Sequence, residues 1–223
     1  MIKKGITAVV PVKGNSSRLK NKNLLPFADS NLLVHKIRQL KQVDGISEII
    51  VSSDSDEMLQ YGIDEGVTAV KRPTQYADES QPFGYFLEYV CSIIGYDTLM
   101  WACCTSPMVT PELYAKAIKE YEQKLLEGYD SLITVQSFQH FLLDESGPMN
   151  FQPGLKHVNS QELPKYHYFT NGIILSPKDS VKAWHYHFGP RVYRMEIQQN
   201  EAIDIDTYWD YICAKAYYEE SKR

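Results

Sequence analysis

A chain of 223 residues, 43% hydrophobic and 12% aromatic, is long enough to bury the core of a single α/β domain. Its formal net charge of −5, from 23 basic and 28 acidic residues, excludes the broad basic field of nucleic-acid-binding proteins, so we expect no nucleic-acid partner. No stretch approaches the roughly 18 consecutive apolar residues of a membrane span, and the N-terminus lacks an apolar signal segment, so we expect a cytoplasmic protein with no membrane partner. The four cysteines form no Cys-x-x-Cys pair, and we expect all four to be reduced and mainly buried.

Short apolar runs alternate with segments of helical period through the first 135 residues. This alternation predicts βαβ units and a mainly parallel sheet flanked by helices. The predicted strands are 6–12, 49–51, 67–70, 98–103, 131–135, 172–175 and 192–197. The predicted helices are one carrying Leu33, Ile37 and Leu40, then about 55–61, 82–94, 111–126, a short one opening near 177, and 207–220. Thr110 and Pro111 suit the N-cap and first turn of their helix.

The first predicted strand leads into a cationic loop within residues 8–25. Gly14 frees backbone N–H groups that can point at phosphate oxygens, and a loop at the carboxyl edge of a parallel sheet lies where α/β proteins bind ligands. The P-loop and the dinucleotide fingerprint are both excluded, because the next glycine after Gly14 is Gly45. The alternative is a solvated strand-to-helix turn. The cations of the loop are Lys13, Arg18, Lys20 and Lys22.

Polar residues also follow later predicted strands. Arg72 comes directly after the third strand, where its planar fork suits a phosphate or a base, although an exposed arginine beside the turn-forming Pro73 is an alternative. Thr105 and Ser106 follow the fourth strand and could contact a sugar or base, or form an ordinary strand-ending turn. Asn171-Gly172 opens a later strand and is equally compatible with a plain turn in which the glycine has positive φ.

Asp204 and Asp206 are the sharpest chemical signal. In extended backbone they point to one face, roughly 6.5 Å apart, a separation that one cation and its waters can bridge. Mg²⁺ accompanied by phosphates is the expected ion. The alternative is that Asp206 is simply the N-cap of the last helix.

Residues 136–170 show no sustained periodic pattern of apolar residues. They are rich in aromatic residues and turn formers, which is typical of a functional loop or a contact arm.

His185 and His187 alternate in sequence without a third metal ligand nearby. We therefore expect them in a solvated loop rather than at a metal site.

Several of these motifs, taken in order, carry a family resemblance. They are 11–19 with Lys22-Asn23-Leu24, Arg72-Pro73 with Asp78 and Ser80, Thr105-Ser106-Pro107, Asp130-Ser131 with Thr134-Val135, Asn171-Gly172, and Asp204-Ile205-Asp206-Thr207. Together they resemble the cytidylyltransferases that activate acidic sugars, the CMP-sialic acid (acylneuraminate) synthetase family with its relatives for legionaminic, pseudaminic and 3-deoxy-octulosonic acids. The matching pieces span nearly the whole chain.

The resemblance implies a Rossmann-like nucleotidyltransferase fold, with 1–223 as one domain and 136–170 as an arm for homodimerisation that helps close the neighbouring sugar pocket. It implies Mg²⁺-dependent attack of the anomeric hydroxyl of an acidic 2-keto-3-deoxy sugar on the α-phosphate of CTP, with release of pyrophosphate, for surface glycan biosynthesis. The nucleotide-binding positions carried over are Lys13, Gly14, Asn15, Ser16, Arg18, Lys22, Asn23, Arg72, Asp78 and Ser80. The positions expected to face the sugar are Cys103, Thr105, Ser106 and Asn171. The catalytic set is Lys22, Asp204 and Asp206, of which the two aspartates would bind Mg²⁺.

The chain departs from the family pattern mainly on the sugar side. Cys103-Cys104 stands where the family usually has Gln-Pro, and Phe169-Thr170 where sialic-acid enzymes tend to have Arg-Pro. Lys13 replaces an arginine, and 136–170 contains no arginine at all. Two alternatives therefore stay open: a nucleotidyltransferase acting on a sugar phosphate or other small acceptor, and a catalytically lapsed nucleotide-binding module.

Overall fold

The computed structural model of the protein describes residues 3–14, 16, 18–77 and 80–222. Within them the strands are β1 (Lys3–Pro11), β2 (Pro26–Phe27), β3 (Ser30–Asn31), β4 (Ile46–Ser53), β5 (Thr68–Lys71), β6 (Tyr96–Trp101), β7 (Ser131–Phe138), β8 (Leu143–Asp144), β9 (Gly147–Pro148), β10 (Tyr166–Pro177) and β11 (Val192–Glu196). The helices are α1 (Leu32–Leu40), α2 (Asp56–Asp64), α3 (Phe83–Ile93), α4 (Pro111–Leu126), α5 (Lys178–Trp184) and α6 (Tyr208–Glu220). The predicted alternation of strands and helices is confirmed.

A seven-stranded sheet in the order β11-β7-β10-β6-β1-β4-β5 forms the centre of the fold. Strands β6, β1, β4 and β5 are parallel, and β11 is parallel to β7, whereas β10 runs antiparallel to both of its neighbours. The prediction of a mainly parallel sheet is confirmed, and the reversed direction of β10 is an addition to it. Because β1, β4, β6 and β7 point the same way, their carboxyl ends form one edge of the sheet.

Side-chain caps set where the helices begin. The Asn31 side chain accepts a hydrogen bond from Val34 N at 2.9 Å at the start of α1, and the Thr110 side chain accepts one from Leu113 N at 3.3 Å at the start of α4. Pro111 occupies the first turn of α4, as predicted, where its missing N–H costs nothing. These caps satisfy donors that have no partner within the helix.

The core lies on both faces of the sheet. Successive residues of β1 point to opposite faces, so Val10 packs in a cluster with Ile37 and Tyr114, whereas Val9 packs with Leu87 and Trp101. Burial on both faces explains why the central strands read as continuous apolar runs. No helix among the described residues is long and apolar enough to cross a membrane.

The prediction of irregular structure over the whole of 136–170 is wrong at both ends. Strand β7 continues to Phe138 and β10 already begins at Tyr166, and these two residues pair in an antiparallel ribbon. The ribbon shows no alternating pattern because both of its faces are largely open to solvent, so no buried face imposes a period of two. Between the two strands, the chain forms the small β8–β9 hairpin and a short 3-10 helix at Ser160–Glu162.

Candidate active site

Three segments that are distant in sequence meet at the carboxyl edge of the sheet. They are the loop after β1, the turn after β6 and residues 197–207, which follow β11. The last two are joined by a backbone hydrogen bond in which Ile205 N donates to the carbonyl of Thr105 at 2.8 Å. This is the edge at which α/β proteins bind ligands.

The loop after β1 is held in place by side chains from two neighbouring segments. Gly14 N donates to Asp54 Oδ1 at 2.9 Å, just beyond the end of β4. Asn23 Nδ2 donates to the carbonyl of Lys13 at 3.1 Å, and its Oδ1 accepts from Cys104 Sγ at 3.2 Å. Asn23 is buried, so its amide is occupied in ordering the loop.

The loop cations reach the second of the predicted metal-binding carboxylates. Lys22 Nζ lies 3.0 Å from Asp206 Oδ1, and Arg18 Nη1 lies 2.7 Å from Asp206 Oδ2. The Lys22 side chain is largely buried, whereas that of Arg18 is mostly exposed. The fold therefore brings together the predicted phosphate-binding cations and the predicted metal ligand, which are separated by more than 180 positions in the chain.

Asp204 lies deeper than Asp206. Its Oδ1 is buried and has no hydrogen-bond partner among the described residues. Burial raises the pKa of Asp204 above its ordinary value; the nearby Asp206 carboxylate adds to the rise, and the Thr105 side chain opposes it. A buried carboxylate oxygen without a partner is costly, and a bound cation would satisfy it.

The pair of carboxylates fits the hard, oxygen-preferring Mg²⁺ ion. Among the described residues, no cluster of three or more His, Cys, Asp and Glu side chains is placed to hold a metal. A cation bound by Asp204 and Asp206 would therefore complete its ligand set with phosphate oxygens and water, as Mg²⁺ commonly does.

The alternative role for Asp206 as the N-cap of α6 is wrong. The cap is Thr207, whose side chain accepts from Asp210 N while the Asp210 carboxylate accepts from Thr207 N at 2.7 Å. This reciprocal capping box satisfies the start of the helix. The Asp206 carboxylate therefore does not cap the helix, and it pairs with Arg18 and Lys22.

Arg72 is buried rather than exposed, so the alternative of a solvated arginine beside Pro73 is wrong. Its Nη2 donates to the carbonyls of Ser52 at 2.7 Å and Val12 at 3.0 Å, and its guanidinium carbon lies 4.4 Å from the centre of the Phe86 ring. Burial lowers the pKa of Arg72 to about 10, which leaves it charged at neutral pH. The Nη2 group thus links the ends of β1 and β4. The Nε atom has no hydrogen-bond partner among the described residues.

A cavity of about 270 Å³ lies beside the Arg72 guanidinium. Its walls combine the cations Lys13 and Arg72 with aromatic rings from the segment after β5 and from the first turn of α3. The lining residues are Lys13, Arg72, Tyr76, Ala77, Gln81, Pro82, Phe83 and Phe86. A cationic and aromatic lining suits a flat, polar ring next to a phosphate chain.

The turn after β6 presents its residues at different depths. Thr105 is half-buried beside Asp204, and Cys103 is half-buried against the cluster containing Trp101. Ser106 is only 1% exposed and its Oγ has no partner among the described residues. Of the residues predicted to face the sugar, Ser106 is therefore the one enclosed within the fold.

Asn171 lies inside β10, and the prediction that Asn171-Gly172 opens a strand is wrong. The pairing of β10 with β7 shifts register between Phe169 and Ile174, and Asn171 adopts a left-handed conformation with φ of 54°. It is thus Asn171, not Gly172, that has positive φ. Thr134 Oγ1 supports this bulge by accepting from Ile173 N at 2.9 Å. The bulge lies beyond the end of β6, and a hydrogen bond from the Asn171 side chain partly opposes the rise that burial causes in the pKa of Asp204.

The remaining predicted positions are peripheral or outside the described structure. Ser16 is half-buried in the loop after β1, and Ser80 is exposed before α3. Asn15 and Asp78 lie outside the described residues. Cys91, Cys103, Cys104 and Cys213 are all free thiols, as predicted.

Sequence reasoning missed two contributors near this edge. Asp54 orders the loop after β1 through Gly14, and its position at the end of a strand is the available signal. Tyr76, Phe83 and Phe86 form the aromatic wall of the cavity. Their spacing in the sequence does not distinguish them from aromatic residues of the core.

The prediction of a solvated loop holds for His185 but is wrong for His187. His185 is mostly exposed and lies 3.0 Å from a Glu88 carboxylate oxygen. His187 is 5% exposed among aromatic rings, and burial lowers its pKa to about 4. It packs there as a neutral ring.

Comparison with known proteins matches residues 7–221 to the family model described as cytidylyltransferase. The chain is 24% identical to the N-acylneuraminate cytidylyltransferase of Escherichia coli, over 98% of this chain and 53% of that protein. It is 23% identical to the pseudaminic acid cytidylyltransferase of Campylobacter jejuni, over 94% of each. It thus spans about half the length of the first relative and nearly all of the second.

Among solved structures, the fold is similar to that of a CMP:2-keto-3-deoxy-manno-octonic acid synthetase complexed with CTP. The TM-score is 0.71 at 15% identity, over 98% of this chain and all of the other. At this identity the likeness establishes a common fold.

Proposed function

Because this chain belongs to the cytidylyltransferase family, we propose that it transfers CMP from CTP to an acidic 2-keto-3-deoxy sugar, such as a nonulosonic acid, in a reaction that requires Mg²⁺. The products are a CMP-sugar and pyrophosphate. The observation that carries this proposal is the meeting of Lys22 and Arg18 with Asp206, next to the buried, unpartnered carboxylate oxygen of Asp204.

The triphosphate is proposed to lie along the loop after β1. Lys13, Arg18 and Lys22 supply positive charge, and the backbone around Gly14 allows close approach to phosphate oxygens. The Asp206 carboxylate pairs with two of these cations, Arg18 and Lys22. A bound phosphate chain would pair with the cations, and a bound Mg²⁺ ion would pair with the carboxylate.

The cytosine ring is proposed to occupy the cavity beside Arg72. Lys13 lines that cavity and also belongs to the phosphate loop, so base and phosphates would be continuous. Phe83 and Phe86 offer ring faces and edges, and the Arg72 side chain forms part of the cavity wall. Because two strand-end carbonyls accept hydrogen bonds from Arg72, its guanidinium is held in place before the ligand arrives.

Transfer at phosphorus asks the protein mainly for alignment and charge neutralisation. The oxygen of the anomeric hydroxyl of the acceptor attacks the α-phosphorus and its proton passes to solvent water, while the bond to the β-phosphate oxygen breaks and pyrophosphate leaves. Lys22 is placed to stabilise charge on the phosphates during this exchange. No covalent intermediate with the protein is required.

Asp204 and Asp206 are the residues proposed to hold Mg²⁺. When bound, the ion would neutralise phosphate charge and orient the phosphate chain. Thr105 and Asn171 flank Asp204, so the acceptor is proposed to lie on that side of the metal. An acidic acceptor is supported by the names of the two relatives described above.

The protein is further proposed to act as a homodimer through its arm, residues 139–165 with the adjoining ends of β7 and β10. The arm exposes large apolar side chains, including Leu143 at 65%, Met149 at 60% and Leu155 fully. Several exposed apolar residues on one segment are typical of a surface that another chain covers.

The experiment that tests the function measures pyrophosphate release with Mg²⁺ and each of CTP, UTP, ATP and GTP. Each nucleotide is combined with nonulosonic acids, 3-deoxy-octulosonic acid and common sugar 1-phosphates. We expect pyrophosphate release only when CTP is combined with an acidic sugar. Release only with a sugar phosphate would contradict the acceptor class, and CTP binding without any release would indicate a lapsed enzyme.

A further inference from the structure

A buried lysine lies beneath the candidate active site. Lys36, in the middle of α1, has 0% of its surface exposed. Its Nζ donates to the carbonyl of Ser106 at 2.9 Å and to the hydroxyl of Tyr114 at 3.0 Å. Among the described residues, no carboxylate contributes to the pKa of Lys36.

Lys36 belongs to a group of α1 side chains that bind the turn after β6. Gln39 Nε2 donates to the carbonyl of Pro107 at 2.9 Å, and His35 Nε2 lies 3.2 Å from the same oxygen. Two consecutive carbonyls of the turn, those of Ser106 and Pro107, are therefore fixed by one helix. The Lys36 ammonium makes the contact nearest to Thr105.

The same turn supports the carboxylate pair. The carbonyl of Thr105 accepts the hydrogen bond from Ile205 N, and Ile205 is the residue between Asp204 and Asp206. The Thr105 side chain also acts on the Asp204 carboxyl group. A continuous chain of contacts thus runs from Lys36 through the turn to both carboxylates.

Burying this ammonium is costly for stability. Burial lowers the pKa of Lys36 to about 7, which measures how poorly the site accommodates the charged form. An apolar side chain of similar length would avoid that cost, since buried charges can often be replaced by hydrophobic groups without loss of stability. A residue that is costly to bury and contacts a site-forming turn is better explained by function than by packing.

We propose that Lys36 is a positioning residue that fixes the turn at Thr105 and Ser106, and through it the spacing of Asp204 and Asp206. This inference rests on the proposed function, in which the two carboxylates hold the metal ion. Lys36 itself touches neither substrate nor metal. Its effect would be on metal affinity and on kcat rather than on nucleotide binding.

The test compares Lys36→Met with Tyr114→Phe, which removes the other partner of the ammonium but leaves its bond to Ser106. Mn²⁺ serves as the probe, and its binding in the presence of CTP is followed by electron paramagnetic resonance of the free ion. CTP affinity without metal, kcat and KM for CTP, and the unfolding temperature are measured for each protein.

For Lys36→Met we expect Mn²⁺ affinity to fall about tenfold, as is typical for supporting contacts around a metal site, with kcat reduced in parallel. CTP affinity without metal should stay close to wild type, and the unfolding temperature should not fall below that of wild type. Tyr114→Phe should retain wild-type Mn²⁺ affinity. Should Lys36→Met not fold, Lys36→Gln is measured against the same criteria.

Wild-type Mn²⁺ affinity in a folded Lys36 variant would overturn the inference while leaving the proposed function intact. An equal loss in Tyr114→Phe would also overturn it, because the effect would then reflect general packing. A wild-type protein that neither binds Mn²⁺ with CTP nor releases pyrophosphate would contradict the proposed function itself.

Discussion

The ammonium of Lys22 lies 3.0 Å from Oδ1 of Asp206, which pairs a predicted phosphate-binding cation with a predicted metal ligand. The two residues come from opposite ends of the chain, and the pair lies at the carboxyl edge of the sheet. The ion pair holds the two side chains together where the phosphate chain and the metal ion are proposed to bind.

We predict that Lys22→Ala raises the Kd for CTP about tenfold or more, because a charge-assisted contact with phosphate is lost. Lys20→Ala is the matched control, since Lys20 is an exposed cation of the same loop. Titration calorimetry with CTP measures both variants. Unaltered affinity in Lys22→Ala, or an equal loss in Lys20→Ala, would remove Lys22 from the site.

Asp206→Asn is expected to lower Mg²⁺-dependent turnover about 100-fold or more, since the variant loses a charged ligand of the ion. CTP binding without metal should be retained or strengthened, because Arg18 and Lys22 are no longer neutralised. Asp29→Asn, which removes an exposed carboxylate paired with Arg38, is the control. Full turnover in Asp206→Asn would contradict the metal assignment, and a changed circular dichroism spectrum would show that the fold had been altered.

Replacement of the buried guanidinium is predicted to affect stability as well as binding. Arg72→Lys should lower the free energy of unfolding by about 1–3 kcal/mol, because lysine cannot bind both strand-end carbonyls and also stack on Phe86. Lys71→Ala, at an exposed neighbouring cation, should cost less than about 1 kcal/mol. Urea denaturation measures both, and equal losses would show that burial of Arg72 is not the cause.

The buried lysine predicts a specific dependence of stability on pH. The pKa of Lys36 is about 7 in the fold against an ordinary 10.5, so the unfolded state binds more protons between these values. The stability of wild type relative to Lys36→Met should therefore rise as the pH increases from 7 towards 10.5.

The titratable groups packed around Lys36 do not change protonation between pH 7 and 10.5. Burial raises the pKa values of Cys103 and Cys104 to about 12 and that of Tyr114 well above its ordinary value, and it lowers that of His35 to about 4. Denaturation curves at several pH values measure the difference between the two proteins. A constant difference would show that Lys36 titrates normally.

The dimer proposal predicts that charge on the arm separates the subunits. Leu143→Glu combined with Met149→Glu should convert a dimer to a monomer in light-scattering measurements. Leu126→Glu is the control, because Leu126 is 90% exposed at the end of α4 and outside the arm. A monomeric wild-type protein, or a dimer that survives the arm substitutions, would contradict the proposal.

The parts of the fold that could be predicted from sequence are those with a local signal. Period and capping residues located the helices, as at Thr110 and Pro111, and apolar runs located the parallel strands. The reversed direction of β10 and the bulge at Asn171 depend on pairing with strands distant in sequence, which no local pattern reveals. The exposed ribbon at Phe138 and Tyr166 could not be predicted, because without a buried face its sequence shows no alternation of apolar and polar residues.

The candidate site shows the same division. The order of the motifs predicts Lys22, Arg72 and the aspartate pair, because Lys22 lies in the cationic loop after β1, Arg72 follows β5, and the aspartates precede α6. Burial of Arg72 and His187 was not visible, since their surroundings come from several segments. No local pattern marks Lys36, because its partners lie 70 and 78 residues away.

The most direct test of the central claim is phosphorus NMR of a reaction containing the protein, CTP, Mg²⁺ and a nonulosonic acid. Two new signals are expected, one from pyrophosphate and one from a single phosphodiester joining CMP to the sugar. With a sugar 1-phosphate as acceptor, the same spectrum should show no product. A diphosphate-bridged nucleotide product in that second reaction, with no phosphodiester in the first, would contradict transfer of CMP to an acidic sugar.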